Sequence, residues 1–167
     1  MSKAPLAIFV YNRLSHLDIV ISNLKKNKDS LDTDLFIFSD NFKTSEDATK
    51  VLEVRNFISE IKDFKSIKIF KRNKHFGLAK SIVNGVHKVL QSYNSIIVLE
   101  DDIVPSPFFL QYMNHALERY NKMEKVGSIH AYCYPTNEVL PETFFLRGAD
   151  CWGWGTWRNS WNHFEKN

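Results

Sequence analysis

The stretch Ile96-Ile97-Val98-Leu99-Glu100-Asp101-Asp102 decides the fold class, because it joins four apolar residues directly to three carboxylates. A short apolar run rich in β-branched residues is typical of a strand that is buried on both faces of a sheet. The carboxylates mark the point at which that strand ends. The sequence therefore predicts a buried strand whose carboxyl end carries a cluster of negative charge.

Similar apolar runs occur earlier in the chain, and each is followed by a segment of helical period. Leu6 to Val10 predicts the first strand, Leu35 to Phe38 the second, and Ile67 to Phe70 a weaker third. Apolar side chains at three- and four-residue spacing follow these runs, including a helix that is predicted from about Leu78. This alternation predicts an α/β fold with a mostly parallel sheet and helices on both faces.

The C-terminal third of the chain has a different pattern. Val126 to Ala131 and Thr143 to Leu146 are each predicted to form a strand, whereas Gly148 to Trp161 is rich in Gly and Trp and has no clear period. A chain of 167 residues has the length of one domain, so residues 1–167 are expected to form a single domain.

Charge and cysteine content exclude several classes of protein. The net charge is +3, from 22 basic and 19 acidic residues without a block of like charge, so no nucleic-acid partner is expected. A weak association with anionic membrane surfaces stays open. Cys133 and Cys151 match no metal-binding spacing and predict free thiols in a reducing compartment. Without a signal peptide or an apolar span, the expected location is the cytoplasm, including a peripheral position at the inner face of the membrane.

Ligands of parallel α/β sheets bind beyond the carboxyl ends of the strands. This rule selects four segments: Tyr11-Asn12-Arg13, Ser39-Asp40, Arg72 to Gly77, and Glu100 to Asp102. The acidic segment favours a divalent cation with oxygen ligands, Mn²⁺ or Mg²⁺, because buried carboxylates are costly without a positive partner. A solvated acidic turn is the alternative interpretation, and the pattern alone does not separate the two.

The other three segments carry groups that suit a nucleotide. Tyr11, Asn12 and Arg13 offer an aromatic face, an amide and a guanidinium, and Asp40 can accept a hydrogen bond from a base, although Asn, Arg and Asp also suit ordinary turns. Gly77 permits close approach of the backbone at a helix N-terminus, where His75 or Lys80 can meet a phosphate. The chain has no Walker A loop and no G-x-G-x-x-G motif, so an ATPase or a dinucleotide enzyme is not indicated.

The order of these motifs resembles the bacterial members of glycosyltransferase family 2. The motifs are P-x-x-x-x-x-Y-N-R, a strand ending in S-D, N-x-H-F-G-L-A-K, and V-L-E-D-D, between about Pro5 and Trp157. The set is also similar to N-acetylglucosaminyltransferase I-like enzymes, which share an E-D-D form of the D-x-D motif. The resemblance implies a Rossmann-like GT-A fold and a nucleoside diphosphate sugar donor, with a UDP-sugar favoured. It also implies a polysaccharide or glycolipid acceptor, and an inverting, metal-dependent transfer.

The resemblance also implies roles for individual residues. Tyr11, Arg13 and Asp40 would hold the base, with Asn12 and His75 beside the nucleotide and Gly77 and Lys80 along it. Glu100 and Asp101 would contact the nucleoside or the sugar, and Asp102 would bind the Mn²⁺ or Mg²⁺ ion that bridges the diphosphate.

The Gly/Trp segment resembles the family's segment beside the donor sugar and the acceptor. Gly148, Trp152, Gly153 and Trp154 are expected to line that space, with packing in the core as the alternative. A carboxylate base usually follows this segment in inverting relatives. Asp150 and Glu165 are the local candidates, and Asp150 is the provisional base although neither fits that position well.

The missing base leads to an expectation about the whole chain. We expect a domain that is truncated on the acceptor side and is inactive or poorly active by itself. A nucleotide- and metal-binding domain without turnover is the non-enzymatic alternative. A sugar-nucleotidyltransferase is the alternative enzyme, but it needs a glycine-rich basic loop where this chain has Tyr11-Asn12-Arg13.

Overall fold

The computed structural model describes residues 3–164. Its strands are β1 (Leu6–Val10), β2 (Asp34–Ser39), β3 (Ser66–Lys71), β4 (Ser95–Glu100), β5 (Ser128–His130) and β6 (Trp154–Trp157). Its α-helices are α1 (Leu14–Lys25), α2 (Ser45–Ser59), α3 (Leu78–Leu90), α4 (Phe109–Arg119) and α5 (Arg158–Trp161), and a short 3₁₀ helix spans Ser30–Asp32.

One sheet contains all six strands, in the order β3-β2-β1-β4-β6-β5. β1 pairs in parallel with β2 on one side and with β4 on the other, and β2 pairs in parallel with β3. β6 runs antiparallel to both β4 and β5. The mostly parallel sheet is confirmed. Because the strand order reverses at β1, the crevice between the ends of β1 and β4 is the place where such sheets bind ligands.

The alternation of buried side chains explains why helices cover both faces. Leu6, Ile8 and Val10 of β1 pack into a core beneath α1, α2 and α4, whereas Ala7 and Phe9 pack into a second core beneath α3. Each fully buried Leu or Ile contributes about 1.5–3 kcal/mol relative to an exposed side chain. Burial on both faces is what makes β1 an uninterrupted apolar run.

The Gly/Trp segment supplies β6, a strand that the sequence pattern did not predict. A Cβ atom at Gly155 would lie 2.9 Å from the backbone oxygen of Ile96 and 3.0 Å from Met113 Cε, so glycine allows β6 to lie against β4 and α4. The Trp157 indole Nε1 donates a hydrogen bond to the Leu117 oxygen at 3.0 Å. Part of this segment is therefore core.

The two strands predicted in the C-terminal third have different outcomes. The strand predicted at Val126 to Ala131 is confirmed as the shorter β5. The strand predicted at Thr143 to Leu146 is wrong, because these residues lie in a loop, with Leu146 77% exposed, and have no paired strand. Within the described chain, residues 131–153 contain neither helix nor strand. Between residues 3 and 164, none of the helices has the length and apolar character needed to cross a membrane.

Candidate donor-binding site

The ends of β1 and β4 bring the first and fourth predicted segments together. Phe9 of β1 is paired with Glu100 of β4, so the residues that follow them meet at one edge of the sheet. The backbone N–H of Tyr11 donates a hydrogen bond to Asp101 Oδ2 at 3.1 Å. This contact ties the Tyr11 turn to the acidic segment.

Arg13 bridges two of the three carboxylates. Its Nη2 atom donates to Asp101 Oδ1, and its Nη1 atom donates to Asp102 Oδ2 at 2.8 Å. The Asp101 side chain is only 3% exposed, whereas the Asp102 side chain is 36% exposed. A solvated acidic turn does not describe Asp101, which is buried and neutralised by a guanidinium.

The acidic cluster carries more negative charge than Arg13 neutralises. Burial raises the pKa of the Glu100 carboxyl, and the nearby charges of Asp102 and Asp101 raise it further. Burial also raises the pKa of Asp101, although the attraction of Arg13 opposes that change. Both shifts have the same physical meaning, since the site disfavours its own negative charge and would be stabilised by an additional cation.

Asp47 fixes the turn that follows β1, and the sequence did not identify this role. Its two carboxylate oxygens accept hydrogen bonds of 2.8 Å from the Tyr11 hydroxyl and from Asn12 Nδ2. The backbone N–H of Lys43 donates to the Tyr11 hydroxyl at 3.0 Å. In the sequence, the position of Asp47 three residues after Thr44, the N-cap of α2, indicated only a carboxylate that caps the helix.

Asp40 organises the loop before α3. Its Oδ1 atom accepts hydrogen bonds of 2.9 Å from the N–H groups of Asn41 and Phe76, and its Oδ2 atom accepts one of 2.9 Å from Gly77. His75 Nδ1 lies 3.1 Å from the same Oδ2 atom. These contacts use most of the acceptor capacity of the carboxylate. To hold a base, the Asp40 carboxylate would have to give up some of these hydrogen bonds. Its role in holding a base stays a prediction.

The loop residues predicted to meet a phosphate lie around this anchor. Gly77 has a φ of +75° and is the N-cap of α3, a conformation that favours glycine. The His75 ring lies 5.3 Å from the Tyr11 ring, between their centroids. Lys80 is exposed, and its Nζ atom lies 5.1 Å from the centre of the Phe76 ring. The structure thus groups Tyr11, His75 and Gly77 at one edge.

A cleft of about 310 Å³ lies between these groups. Its lining residues are Phe9, Val10, Tyr11, Asn12, Arg13, Phe38, Asp40, His75, Leu78, Ser81, Glu100 and Asp101. Ser81 Oγ is buried and has no hydrogen-bond partner among the described residues. A buried hydroxyl without a partner is unusual in a folded protein, and a ligand in the cleft would supply one.

Arg72 opens one of the four segments that the sequence selected, but the sequence assigned it no role. Its Nε and Nη2 atoms are buried without a hydrogen-bond partner in the described part of the chain. Its guanidinium carbon lies 4.6 Å from the centre of the Phe76 ring and 5.6 Å from that of Phe38, a residue that lines the cleft. The position of Arg72 directly after β3 was the only sequence signal for it.

The Gly/Trp segment reaches the same edge of the sheet. β5 ends and β6 begins there, so the loop of residues 131–153 extends from that edge. Burial raises the pKa of the Cys151 thiol, and the charges of Glu100 and Asp150 raise it further. Trp154, the first residue of β6, pairs with Val98, two residues before Glu100, so Asp150 and Cys151 precede β6 on the side of the sheet that carries the acidic cluster.

The carboxylate of Asp150, the provisional base, is held in a turn. Its backbone N–H donates to His130 Nδ1 at 3.1 Å, and its Oδ1 atom accepts a hydrogen bond of 2.7 Å from the Trp152 N–H. A hydrogen bond to the same carboxylate raises the pKa of the Tyr134 hydroxyl. A hydrogen bond to the N–H two residues on is also the ordinary structural role of Asp in a turn. Glu165, the other candidate base, lies outside the described residues.

The residues expected to line the acceptor space have different environments. Trp152 is 42% exposed, and its ring lies 4.7 Å from that of Tyr132 and 5.8 Å from that of Tyr134. We name these three residues the aromatic cluster. Gly148 is also exposed.

Gly153 and Trp154 are held within the fold. Gly153 is buried, and a Cβ atom there would lie 3.1 Å from Phe109. Trp154 is half-buried and stacks on Trp161 at 5.9 Å. Their expected contact with a sugar stays a prediction, and packing accounts for both positions.

The fold and the site together define a GT-A type of glycosyltransferase domain. The family model described as Glycosyl transferase family 2 matches residues 6–166, which is nearly the whole chain. The chain therefore belongs to glycosyltransferase family 2. No curated protein sequence matches it significantly.

Several solved structures have a similar fold. TarS 1–349 of S. aureus has a TM-score of 0.57 and 9% identity, with 92% of this chain and 47% of that chain covered. TarS 1–349 in complex with UDP-GlcNAc has a TM-score of 0.50 and 10% identity, covering 70% and 32%. The mannosyltransferase PcManGT from Pyrobaculum calidifontis, in complex with GDP-Man and Mn²⁺, has a TM-score of 0.50 and 11% identity, covering 75% and 34%. At these identities the likeness supports the fold alone, and the chain spans about a third to a half of their length.

The acidic cluster meets the needs of a divalent ion with few protein ligands. Among residues 3–164, no group of three or more His, Cys, Asp or Glu side chains is arranged to hold a metal. Mg²⁺ and similar ions are commonly held by one or two carboxylates and take their other oxygen ligands from phosphate and water. The partly exposed Asp102 carboxylate fits that mode. The buried Asp101 carboxylate is less accessible to an ion from solvent.

Proposed function

We propose that this chain binds a nucleoside diphosphate sugar in the cleft between β1, β2, β4 and α3. It would act as the donor-binding part of a metal-dependent, inverting glycosyltransferase whose acceptor is a polysaccharide or glycolipid. The observation that carries the proposal is the joining of Arg13, Asp101 and Asp102 at the point where the strand order reverses. Ligands of doubly wound sheets bind at such points.

The side chains around the cleft suit the parts of a nucleotide. The Tyr11 ring offers a stacking face, and Asp40 and Arg72 offer an acceptor and donors for the edge of a base. Gly77, His75 and Lys80 lie at or near the N-terminus of α3, which favours the negative charge of a phosphate. UDP is the favoured nucleotide, since the TarS complex contains UDP-GlcNAc, and GDP is the alternative, since the PcManGT complex contains GDP-Man.

The three carboxylates of the acidic cluster would have two different roles. Asp102 would hold a Mn²⁺ or Mg²⁺ ion because it is the more exposed carboxylate of the Arg13 pair, while Glu100 and Asp101 face the nucleoside or the sugar. When bound, such an ion offsets the negative charge that builds on the departing diphosphate. Support for a divalent ion also comes from the Mn²⁺ in the PcManGT complex.

The acceptor would approach from the loop of residues 131–153. The aromatic cluster offers exposed ring faces to the C–H surfaces of a sugar, and Gly148 leaves room beside them. Asp150 is the proposed base that removes the proton from the acceptor hydroxyl, held in orientation by the N–H of Trp152. The two exposed free thiols, Cys133 and Cys151, support a cytoplasmic location, at most peripheral to a membrane.

A second candidate function is donor binding without turnover in the chain by itself. The observation that favours it is the engagement of the Asp150 carboxylate in a turn, which leaves the reaction without a free base in the described residues. The sugar-nucleotidyltransferase alternative loses its support, because family membership assigns the chain to the glycosyltransferases.

The direct experiment is a thermal-shift panel of UDP, dTDP and GDP with Mn²⁺. A ligand at one hundred times its dissociation constant should stabilise the fold by about 2.7 kcal/mol. We expect UDP to raise the melting temperature most. Failure of all three nucleotides to shift it would refute the donor site.

Sugar transfer by the same chain separates the two candidate functions. We expect poor transfer despite donor binding. Efficient transfer that is lost in Asp150→Asn, with nucleotide affinity unchanged, would establish Asp150 as the base. Efficient transfer in both forms would exclude Asp150 and direct the search to Glu165.

A further inference from the structure

Arg13 occupies the position where an added cation would bind. It is the only basic side chain in the described ranges that pairs with Asp101 or Asp102. Its Nη1 atom lies 2.8 Å from the more exposed carboxylate, Asp102. A divalent ion on that oxygen would meet the guanidinium at close range. Like charges at such a distance repel each other, so the ion and the guanidinium would compete for Asp102.

The guanidinium also has freedom to leave the carboxylates. The Arg13 side chain is 43% exposed, although its backbone is the N-cap of α1. Asp101 would keep one of its hydrogen bonds, from the Tyr11 N–H, after such a movement. Asp102 would be left open to solvent on its exposed side. A change of partner would therefore leave Asp101 with the Tyr11 hydrogen bond and with the charge of the added ion beside it.

A diphosphate in the cleft would give Arg13 a new partner. Arg13 lines the cleft together with Tyr11, Asp40 and His75. A guanidinium binds two phosphate oxygens with the same forked geometry with which it now binds two carboxylates. Arrival of the nucleotide would then free Asp102 at the moment when phosphate oxygens become available as further metal ligands.

We propose that Arg13 is an exchangeable counter-ion, which holds Asp102 while the cleft is empty and transfers to the diphosphate when the donor binds. This proposal rests on the proposed donor site and adds its regulation. It predicts that nucleotide and divalent ion bind with positive coupling, because each removes an obstacle to the other. By thermodynamic linkage the coupling is equal in both directions.

Calorimetric titration of Mn²⁺ into metal-free protein tests the exchange without any turnover. Without nucleotide, Arg13→Gln should bind Mn²⁺ about fivefold or more tightly than wild type, because no internal cation competes. Saturating UDP should increase the Mn²⁺ affinity of wild type. It should increase the Mn²⁺ affinity of Arg13→Gln by a smaller factor. Arg119→Gln is the matched control, since it removes the same charge from the last turn of α4 and should behave as wild type.

Two further measurements keep the test decisive. Arg13→Lys keeps the charge but loses the bidentate fork, so its Mn²⁺ affinity should lie between those of wild type and Arg13→Gln, and it carries the test if Arg13→Gln does not fold. In EDTA, Arg13→Gln should melt at a lower temperature than wild type. Addition of Mn²⁺ should raise the melting temperature of Arg13→Gln by more than that of wild type.

The outcomes separate the exchange from the donor site itself. Wild type that binds Mn²⁺ and UDP, with Mn²⁺ affinity unchanged or weaker in both Arg13 variants, would overturn the exchange and leave the donor site standing. Absence of Mn²⁺ and UDP binding in wild type would overturn both.

Discussion

The proposed donor region (residues 3–102) and the proposed acceptor loop (residues 131–153), named below the donor region and the acceptor loop, share one edge of the sheet but are built differently. In the donor region, Arg13, Asp40 and Asp47 each make two or more polar contacts that fix neighbouring segments. In the acceptor loop, the aromatic cluster is exposed, and its rings contact mainly one another. The proposed nucleotide side is held by contacts within the protein, whereas the proposed acceptor side has open surface.

The difference follows from the strands beneath each region. Parallel strands buried on both faces hold their carboxyl ends in register, so short turns there have little freedom. The loop that leaves β5 and returns at β6 joins the sheet only at its two ends, and between them the Phe145 ring packs against Tyr120 at 5.4 Å. A scaffold of this kind keeps one ligand site constant while loop sequence varies the other. We therefore expect changes in the two regions to affect different measurements.

The anchor of the acceptor loop gives the largest expected effect. Gly155→Ala places a Cβ atom 2.9 Å from the Ile96 oxygen, so β6 must shift away from β4. We expect a loss of about 2 kcal/mol in the free energy of unfolding, measured by denaturant titration. Gly127→Ala is the control, since a Cβ there meets nothing within 4 Å. Equal stability of the two variants would show that β6 is not held by this contact.

Asp102→Asn tests the acidic cluster in the donor region. Loss of a charged oxygen ligand should weaken Mn²⁺-dependent UDP binding at least tenfold, about 1.4 kcal/mol, in calorimetry. The surface variant Asp63→Asn, which removes a carboxylate paired only with Lys25, should leave the affinity unchanged. The metal role of this motif would be excluded by an Asp102→Asn protein with wild-type affinity.

Asp47→Ala tests whether the turn after β1 is formed in advance. Removal of its hydrogen bonds to Tyr11 and Asn12 should lower UDP affinity about fivefold, because the turn then has to be ordered on binding. Glu46→Ala removes the adjacent exposed carboxylate of α2 and serves as the control. A loss of equal size in both variants would point to net charge rather than to positioning.

Trp152→Ala gives the smallest expected effect on the donor region. UDP affinity should stay within about twofold of wild type, because Trp152 does not line the cleft. The matched aromatic change in the donor region, Tyr11→Ala, should weaken binding more. A stronger effect from Trp152 than from Tyr11 would mean that the two regions are not separable.

The sequence predicted the parts of the fold that are buried on both faces. Leu6 to Val10 gives β1 without error, and Ile96 to Leu99 gives β4 to within one residue at each end. Because both faces of these strands are buried, their residues are apolar at consecutive positions, and such a run predicts a strand without an alternating pattern. β6 escaped prediction because Trp154 to Trp157 is short and depends on a close backbone approach at Gly155, which only the folded sheet reveals.

The residues of the candidate site also fall into those that the sequence predicted and those that it did not. The positions of Tyr11, Arg13, Asp40 and Glu100 to Asp102 at strand ends follow from the alternation of strands and helices. Asp47 and Arg72 could not be assigned, because their roles depend on contacts between separate parts of the chain. A carboxylate in the first turn of a helix and an arginine after a strand have ordinary structural explanations when the sequence stands alone.

Paramagnetic broadening by Mn²⁺ in an amide NMR spectrum tests the location of the donor site most directly. The protein with saturating UDP would be compared with Mn²⁺ and with diamagnetic Mg²⁺. We predict selective loss of the amide signals of Asp101, Asp102, Tyr11 and Arg13, with those of α5, which begins at the opposite edge of the sheet, retained. Broadening centred on another acidic surface, such as that around Asp63, would contradict the donor site at the β1 and β4 edge.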